Sequence, residues 1–244
     1  MSRLEENLRA VRARIDAAAR AAGRDPAEVA LLAVSKTWPA ADVRALAALG
    51  QRDFGENRVQ ELLGKAGELA GVELRWHFVG QLQRNKAAAV ARTGAVVHSV
   101  DRASLVATLD RAGQEAGRPV EVLVQVDLGG PEGTIGARGG AHPAEVPALA
   151  DAVAGAAGLR LRGLMAVAPR DEEPGPAFAR LAAVAGRVRS DHPEAVEISA
   201  GMSGDLEAAV AAGATLVRVG TALFGARPLP CGEFEEHQPP ESQQ

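Results

Sequence analysis

The feature that most constrains the fold of this chain is a repeated alternation of short apolar runs with longer alanine-rich segments. Eight runs are typical of strands: VALLAVS, RDFGEN, RWHFVG, AVVHSVD, VEVLVQVD, LRLRGLMAV, VEISAG and TLVRVG. Several are almost entirely apolar, which is typical of parallel strands buried on both faces. The pattern predicts an α/β fold, a single closed (β/α)8 TIM barrel. A doubly wound open sheet is the alternative, because periodicity alone does not prove closure.

The N-terminal segment predicts one helix in addition to the barrel. Ser2 and Glu5 have the spacing of a capping box, and Gly23 is placed to end the helix. The apolar face of this helix is predicted to consist of Leu4, Leu8, Val11 and Ile15.

The C-terminal segment lacks the apolar content of a folded region. We predict one domain over residues 1–228 and a disordered tail over residues 229–244, which are rich in proline, glutamate and glutamine. The glycine-rich stretch from Gly129 to Gly140 is predicted to be a mobile loop after the fifth strand.

Composition excludes several classes of protein. The net charge of -4 gives no electrostatic attraction to nucleic acid or to an anionic membrane. No apolar run is long enough to cross a bilayer, and charges interrupt the N-terminal helix, which is therefore not a signal sequence. Cys231 is the only cysteine, so there is no disulfide framework. We expect a cytoplasmic monomer with no metal ligands.

Chemically distinctive residues follow the predicted strands. In a barrel of this type, functional side chains gather at the carboxyl ends of the strands. The residues at those ends are Lys36, Asn57, His77, Gln81, Ser203, Gly220 and Thr221. For His77, a role as a hydrogen-bonded core histidine is somewhat favoured over a role in the site.

The last two strands lead into glycine-containing turns and then helices, GMSGDLEAAVAAG and RVGTALFG. Helix N-termini expose unpaired N–H groups, and this fold often binds phosphate at the corresponding loops. We predict a phosphate site there, with Ser203 at or near a helix N-cap. Alternatively, Ser203 and Thr221 are ordinary helix caps.

Arg218 lies between two valines in the last strand, so alternation directs it toward the barrel interior or mouth. A buried arginine keeps its charge and needs a partner. Glu56, Asp205 or a bound ligand could each supply one.

A strand-end lysine and a phosphate site suggest a Schiff-base site for a phosphorylated aldehyde. Lys36 would form the imine while the phosphate fixes the other end of the ligand. Pyridoxal 5′-phosphate fits this description, and so does the substrate of a sugar-phosphate aldolase.

Six ordered motifs, AVSKT, DFGENRVQE, WHFVGQLQRNK, GLM, GMSGD and RVGTALFG, resemble the pyridoxal phosphate homeostasis protein family. The resemblance covers nearly the whole chain from Leu31 to Gly225. It implies a lone (β/α)8 barrel similar to the N-terminal domain of alanine racemase. It also implies a protein that binds pyridoxal phosphate, buffers or delivers it, and has no established turnover.

The resemblance assigns roles to individual residues. It implies that Lys36 forms the imine, that Asn57 lines the ring, and that Arg218 faces the pyridine nitrogen. Ser203, Gly220 and Thr221 match phosphate-holding positions. It implies no catalytic residue, and it makes apo-enzymes that depend on pyridoxal phosphate candidate recipients.

The enzyme alternatives have specific weaknesses. A racemase of the alanine racemase type needs an acid/base opposite the lysine, supplied there by a tyrosine, and this chain has no tyrosine. A sugar-phosphate aldolase is disfavoured by Arg218 and by the lack of a carboxylate motif beside Lys36. A barrel without a ligand would leave the paired phosphate loops unexplained.

Overall fold

The computed structural model describes residues 2–129 and 139–225. Most of the loop predicted from Gly129 to Gly140, and all of the tail predicted over 229–244, lie outside these residues. The strands of the described part are β1 Ala30–Val34, β2 Asp53–Glu56, β3 Arg75–Phe78, β4 Val96–Val100, β5 Val120–Val126, β6 Leu159–Ala166, β7 Glu197–Ser199 and β8 Leu216–Val219. Each of the eight predicted strands is therefore confirmed.

Helices connect the strands and cover the outside of the sheet. They are α1 Arg3–Ala21, α2 Ala40–Ala48, α3 Val59–Glu68, α4 Ala87–Thr93, α5 Ala103–Glu115, α6 Val146–Ala154, α7 Pro174–Asp191, α8 Leu206–Ala211 and α9 Thr221–Phe224. Two 3-10 helices, Pro26–Glu28 and Arg84–Lys86, lie in the connections. Across the described ranges, no helix is long and apolar enough to cross a membrane.

The sheet closes into a barrel. The strands are parallel and pair in sequence order, and β8 returns to β1 with Leu216 opposite Ala30 and Val219 opposite Ala33. The closed (β/α)8 barrel is confirmed, and the open-sheet alternative is excluded.

The extra N-terminal helix is also confirmed. The Ser2 hydroxyl accepts a hydrogen bond from the Glu5 backbone N–H at 3.3 Å, and the predicted apolar face is buried. The helix ends at Ala21, and Gly23 follows with a left-handed φ of 69°. This helix packs against α8, α9 and α2, which brings it close to the loops after β7 and β8.

The apolar core has an outer and an inner part. The outer part lies between the strands and the helices and contains most of the buried residues. Alternation along the strands places two smaller clusters inside the barrel. These inner clusters are Leu32, Val34 and Leu216, and Val96, Leu123 and Met165.

Charged residues lie near the amino ends of the strands inside the barrel. Arg75 pairs with Glu121 at 3.0 Å, and Arg162 pairs with Glu197 at 2.6 Å. Longer contacts join Arg75 to Glu197 and Arg162 to Glu121, at 3.8 and 3.5 Å. The interior thus changes from a charged layer at the amino face to apolar and polar layers nearer the carboxyl face.

Candidate functional site

A cavity of about 410 Å3 lies at the carboxyl ends of the strands. Its volume is in the range of sites that hold small cofactors. The lining residues include all six predicted site residues, namely Lys36, Asn57, Ser203, Arg218, Gly220 and Thr221. Residues that are far apart in sequence therefore meet at one place.

Lys36 lies two residues beyond the end of β1 and is half-buried. Leu32 and Val34 precede it at a spacing of two, and both belong to an inner cluster. The same alternation directs Lys36 into the cavity, which it lines. The position of this lysine at the end of an apolar strand is thus explained by the cavity that opens there.

The backbone on both sides of Lys36 is held by a charged cluster outside the barrel. We call Ser35, Glu56, Glu61 and Lys65 the lysine-flanking cluster. The Lys65 ammonium donates to the Ser35 carbonyl oxygen at 2.7 Å and to Glu56 Oε1 at 2.6 Å. The Ser35 hydroxyl donates to the same Glu56 oxygen at 2.6 Å. These contacts fix the residue that immediately precedes Lys36.

The residue that follows Lys36 is held by the same cluster. Thr37 has a left-handed φ of 70°, which is unfavourable for a β-branched residue, and its N–H donates to Glu61 Oε2 at 2.7 Å. The cluster therefore stabilises an unusual backbone turn at the lysine. This cluster was not predicted from the sequence. Glu61 and Lys65 lie on α3, and α2 and β2 separate that helix from Lys36 along the chain.

Glu56, like Ser35, is fully buried in the lysine-flanking cluster, with 0% exposure. Burial raises the pKa of its carboxyl group, and the hydrogen bonds from Lys65 and Ser35 oppose that rise. Its second oxygen, Oε2, is buried without a hydrogen-bond partner among the described residues. The charge of Glu56 thus depends strongly on Lys65.

The predicted phosphate loops line one side of the cavity, although the cap assignment at Ser203 needs correction. Helix α8 begins at Leu206, and its N-cap is Asp205, so Ser203 lies two residues before the cap. The Asp205 carboxylate accepts a hydrogen bond from the Met202 N–H at 2.5 Å, which closes the turn that carries Ser203. The Asp205 carboxylate makes no capping hydrogen bond to the first N–H groups of α8, because it is used to close this turn.

The second loop begins at Gly220, the N-cap of α9, and Thr221 is the first helical residue. A Cβ atom on Gly220 would lie 3.2 Å from the Val34 carbonyl oxygen, so the loop approaches the end of β1 closely. Helices α8 and α9 are short, so the donors available here are hydroxyl groups and the N–H groups of the turns and first helical residues.

The N-terminal helix positions both loops. Arg14 donates to the Ser203 carbonyl oxygen at 2.7 Å and forms an ion pair with Glu207 on α8. Asn7 donates to the Leu223 carbonyl oxygen at 2.8 Å, and Arg3 donates to the Phe224 carbonyl oxygen at 2.7 Å. These contacts join residues about 190 to 220 positions apart, and no local pattern signals them.

Asn57 reaches the cavity because the chain after β3 packs directly on it. A Cβ atom on Gly80 would lie 2.1 Å from the Asn57 carbonyl oxygen, so only glycine permits this approach. Both residues line the cavity. Gly80 therefore helps to determine where Asn57 lies.

Arg218 is buried inside the barrel, as alternation predicts, but its partners differ from the carboxylates considered above. Nη1 donates to the Ser199 carbonyl oxygen at 2.6 Å and to the Ser199 hydroxyl at 2.8 Å, and Nη2 donates to the Ala166 carbonyl oxygen at 2.8 Å. None of the ion pairs within the described ranges involves Arg218, so neither Glu56 nor Asp205, two of the three partners considered, forms an ion pair with it. Burial lowers the pKa of Arg218 to about 10, and the charge of Asp205 opposes this. The guanidinium remains charged at neutral pH.

His77 and Gln81 do not line the cavity. His77 is fully buried and hydrogen-bonded to Asp53 and His98, which confirms the interpretation of a core histidine. Its expected place near the mouth is wrong, because the side chain faces the interior below the cavity. Gln81 is exposed in the connection after β3.

The fold and the cavity define a class of protein: a single parallel (β/α)8 barrel with a lysine-bearing cavity at its carboxyl face. A family model described as "Alanine racemase, N-terminal domain" matches residues 6–228. Curated relatives named pyridoxal phosphate homeostasis protein include one from Pseudomonas aeruginosa, which is 48% identical over 93% of this chain and 97% of its own length. One from Escherichia coli K12 is 42% identical over 93% of this chain and 98% of its own length. The chain belongs to the pyridoxal phosphate homeostasis protein family.

Solved structures agree with this assignment. PipY of Synechococcus elongatus without PLP is 37% identical and has a TM-score of 0.81, covering 91% of this chain and 100% of PipY. The structure of PipY with PLP bound has a TM-score of 0.78 over the same shares of the two chains. Alanine racemase from Corynebacterium glutamicum shares the fold, with a TM-score of 0.68 at 17% identity over 93% of this chain and 62% of the racemase.

Proposed function

We propose that this protein binds pyridoxal 5′-phosphate as an imine on Lys36 and takes part in the intracellular homeostasis of the cofactor, without catalytic turnover. One observation carries the proposal. A single cavity contains an amine, a buried guanidinium and two hydroxyl-bearing loops, in a family whose relative PipY has been solved with PLP bound. The donor set fits the cofactor, which has an aldehyde, a pyridine nitrogen and a phosphate group.

Each group of the cofactor would meet a particular part of the cavity. Lys36 Nζ would attack the aldehyde carbon as a neutral amine; a carbon–nitrogen double bond forms, and the carbonyl oxygen leaves as water. Ser203 and the loop at Gly220 and Thr221 would hold the phosphate. Asn57 would lie against the ring, and Arg218 would donate to the pyridine nitrogen.

Arg218 also supports the absence of turnover. A permanently charged guanidinium disfavours a second positive charge on the neighbouring pyridine nitrogen, so the ring withdraws electrons less strongly. The bound cofactor supplies electron withdrawal in enzymes of this kind, and Arg218 would weaken it. The cavity would thus hold the cofactor without activating it fully.

The described residues that line the cavity include no second acid/base group. Among its described lining residues, the ionisable side chains are Lys36 and Arg218, and neighbouring wall positions include Val79, Met165 and Met202. General acid/base catalysis typically contributes about 10²- to 10⁴-fold to a rate. The absence of a second acid/base group from these described lining residues supports a carrier over a racemase.

The wider role follows from the carrier proposal. We infer that PLP-dependent apo-enzymes receive the cofactor, and that the protein acts as a cytoplasmic monomer. We also infer that the functional domain extends over residues 1–228, followed by a tail over residues 229–244.

The test is to trap the imine and locate it. The chain contains three lysines, Lys36, Lys65 and Lys86, which makes the assignment simple. The protein is incubated with pyridoxal phosphate, its visible absorption is recorded, and the sample is reduced with borohydride and digested with trypsin. Modified Lys36 resists cleavage, so we expect a peptide spanning residues 25–44 that carries the pyridoxyl mass.

Two variants complete the test. Lys36→Ala should abolish the imine absorption and the labelled peptide, whereas the matched variant Lys86→Ala should keep both. A protein that stays colourless and unmodified in excess pyridoxal phosphate would refute the proposal. A label on Lys65 or Lys86 would refute the assignment to Lys36.

A further inference from the structure

A continuous chain of polar side chains crosses the barrel interior from the amino face to Arg218. Asp53 Oδ1 lies 3.0 Å from His77 Nε2, and His77 Nδ1 lies 2.8 Å from His98 Nε2. His98 Nδ1 lies 3.1 Å from the Ser199 hydroxyl, which accepts from Arg218 Nη1 at 2.8 Å. We call Asp53, His77, His98 and Ser199 the interior chain.

The interior chain is deeply buried for most of its length. His77, His98 and Ser199 each have 0% exposure, and only Asp53, at the start of β2, is partly exposed. Apolar residues of one inner cluster lie beside this chain: Val96 is on β4, the strand that carries His98, and Leu123 is on the neighbouring strand β5. Buried polar groups at such positions are costly unless each donor meets an acceptor.

The two ends of the interior chain, an acceptor and a donor, are compatible with a single direction for all of its hydrogen bonds. The Asp53 carboxylate only accepts, so His77 donates to it through Nε2–H. Neutral His77 then has an unprotonated Nδ1, which accepts from His98 Nε2–H. Neutral His98 in turn accepts at Nδ1 from the Ser199 O–H.

The last bond follows the same direction, because the guanidinium of Arg218 can only donate to the Ser199 oxygen. All four hydrogen bonds therefore run from Arg218 to Asp53, and each buried nitrogen and hydroxyl has a partner. This arrangement requires His77 and His98 to be neutral and in the Nε2–H tautomer.

The charged groups around His98 keep it neutral. Burial lowers the pKa of His98 well below its usual value, the charges of Arg218 and Arg75 act in the same direction, and a positive charge on His77 would do so too. A protonated His98 would direct an N–H toward Ser199, which already accepts from a cation. The neutral Nε2–H tautomer is the form that agrees with its neighbours.

We propose that the interior chain is a positioning device that fixes the orientation of the Arg218 guanidinium against the cavity. Three of its five N–H donors are used by Ser199 and Ala166. The others are left for the cavity that Arg218 lines. The effect of the interior chain on pyridoxal phosphate binding rests on the proposed function. The order of the hydrogen bonds within the interior chain is independent of that function.

The first experiment uses the protein without cofactor. Long-range proton–nitrogen NMR identifies the tautomers of His77 and His98, and guanidinium spectra report rotation about the Arg218 Cζ–Nε bond. We expect Nε2–H tautomers at both histidines and hindered rotation of Arg218. In Ser199→Ala the rotation should become faster, and Ser199→Thr, which keeps the hydroxyl, should restore the slow rotation.

Asp53→Asn tests the far end of the interior chain. The amide can donate as well as accept, so the direction is no longer fixed, and we expect a mixture of tautomers at His77 and His98. The matched control is His192→Asn, which breaks a surface contact of 2.8 Å between His192 and Asp151 outside the barrel. This control should change neither the tautomers nor the motion of Arg218.

The second experiment measures the bound cofactor. Ser199→Ala should release pyridoxal phosphate about 3- to 10-fold faster than the wild type, the factor expected for one hydrogen bond, while the imine on Lys36 still forms. The spectral pH titration of the bound cofactor should shift in Ser199→Ala and stay unchanged in His192→Asn. An Nδ1–H tautomer at His98 in the wild type, or Arg218 motion unaffected by Ser199→Ala, would overturn the inference.

The outcomes separate the two proposals. Failure to bind pyridoxal phosphate at all would refute the proposed function, while the tautomers and the motion of Arg218 would still decide the role of the interior chain. Normal cofactor binding with unaltered Arg218 motion in Ser199→Ala would refute the interior chain as a positioning device and leave the proposed function standing.

Discussion

Replacing Lys65 with methionine would test whether the lysine-flanking cluster depends on a buried ion pair. Lys65 Nζ lies 2.6 Å from Glu56 Oε1, and the two side chains are 10% and 0% exposed. Methionine keeps much of the length and apolar surface of lysine but removes the charge and the donors. Glu56 would then be a buried carboxylate with only the Ser35 hydroxyl as a donor, and the Ser35 carbonyl oxygen would lose its bond from Lys65.

The expected loss of stability in Lys65→Met follows from leaving the Glu56 carboxylate buried without its cation. Removing one partner of a buried ion pair typically lowers the free energy of unfolding by about 3–5 kcal/mol. A more exposed pair supplies the control: Arg14→Met breaks the pair with Glu207, whose side chains are 36% and 52% exposed, and also removes the hydrogen bond to the Ser203 carbonyl oxygen; together these should cost no more than about 2 kcal/mol. Urea unfolding monitored by circular dichroism measures both values.

The pH dependence identifies Glu56 as the cause. Burial raises the pKa of Glu56 in the folded protein, and loss of the Lys65 charge raises it further. Above the ordinary glutamate pKa of about 4.3, the folded variant therefore binds more protons than the unfolded chain. Its free energy of unfolding falls as the pH rises from that value through the raised pKa of Glu56 in the folded state. The penalty of Lys65→Met should be smaller at pH 5 than at pH 8.

A double variant provides an internal check. Glu56→Gln in the Lys65→Met background removes the unpaired charge and should recover a large part of the lost stability. The reasoning is refuted if Lys65→Met costs no more than Arg14→Met, or if its penalty is the same at pH 5 and pH 8.

Two further substitutions test the cavity. Ser203→Ala combined with Thr221→Ala should weaken the binding of pyridoxal phosphate by about 1.5–3 kcal/mol for each hydrogen bond lost to the charged phosphate. Equilibrium dialysis measures this loss. Unchanged binding would show that the phosphate lies elsewhere. The imine on Lys36 should still form. Gly80→Ala would place a Cβ atom 2.1 Å from the Asn57 carbonyl oxygen, so the chain after β3 must move. We expect a lower melting temperature and weaker cofactor binding. Wild-type values of both would show that the close contact is not required.

Much of the site could be predicted from sequence because it depends on local periodicity. Alternation with a period of two predicts Arg218 in the interior, and the position of Lys36 at the end of an apolar strand predicts that it lies at the carboxyl face. The glycine-containing turns marked the loops that carry Ser203 and Thr221. Each of these inferences uses only a few neighbouring residues, over which backbone geometry alone determines where side chains point.

The partners of those residues could not be predicted in the same way. The sequence leaves a carboxylate or a bound ligand open as the partner of Arg218, whereas in the structure Arg218 donates to Ser199 and Ala166, which are 19 and 52 positions away. His98 and Ser199 are 101 positions apart. Such contacts depend on which strands become neighbours across the barrel, and many pairings satisfy the same local pattern.

The sequence by itself determined the eight strands, the additional helix, the direction of the inward side chains and the motifs at the strand ends. Tertiary structure alone decided the closure of β8 onto β1, the lysine-flanking cluster, the interior chain and the contacts from α1 to the loops. The physical reason is the separation along the chain over which each of these features is determined. Strand and helix periodicity is set by backbone geometry within a few residues, whereas closure pairs Ala30 with Leu216 and depends on the twist and tilt accumulated over all eight strands.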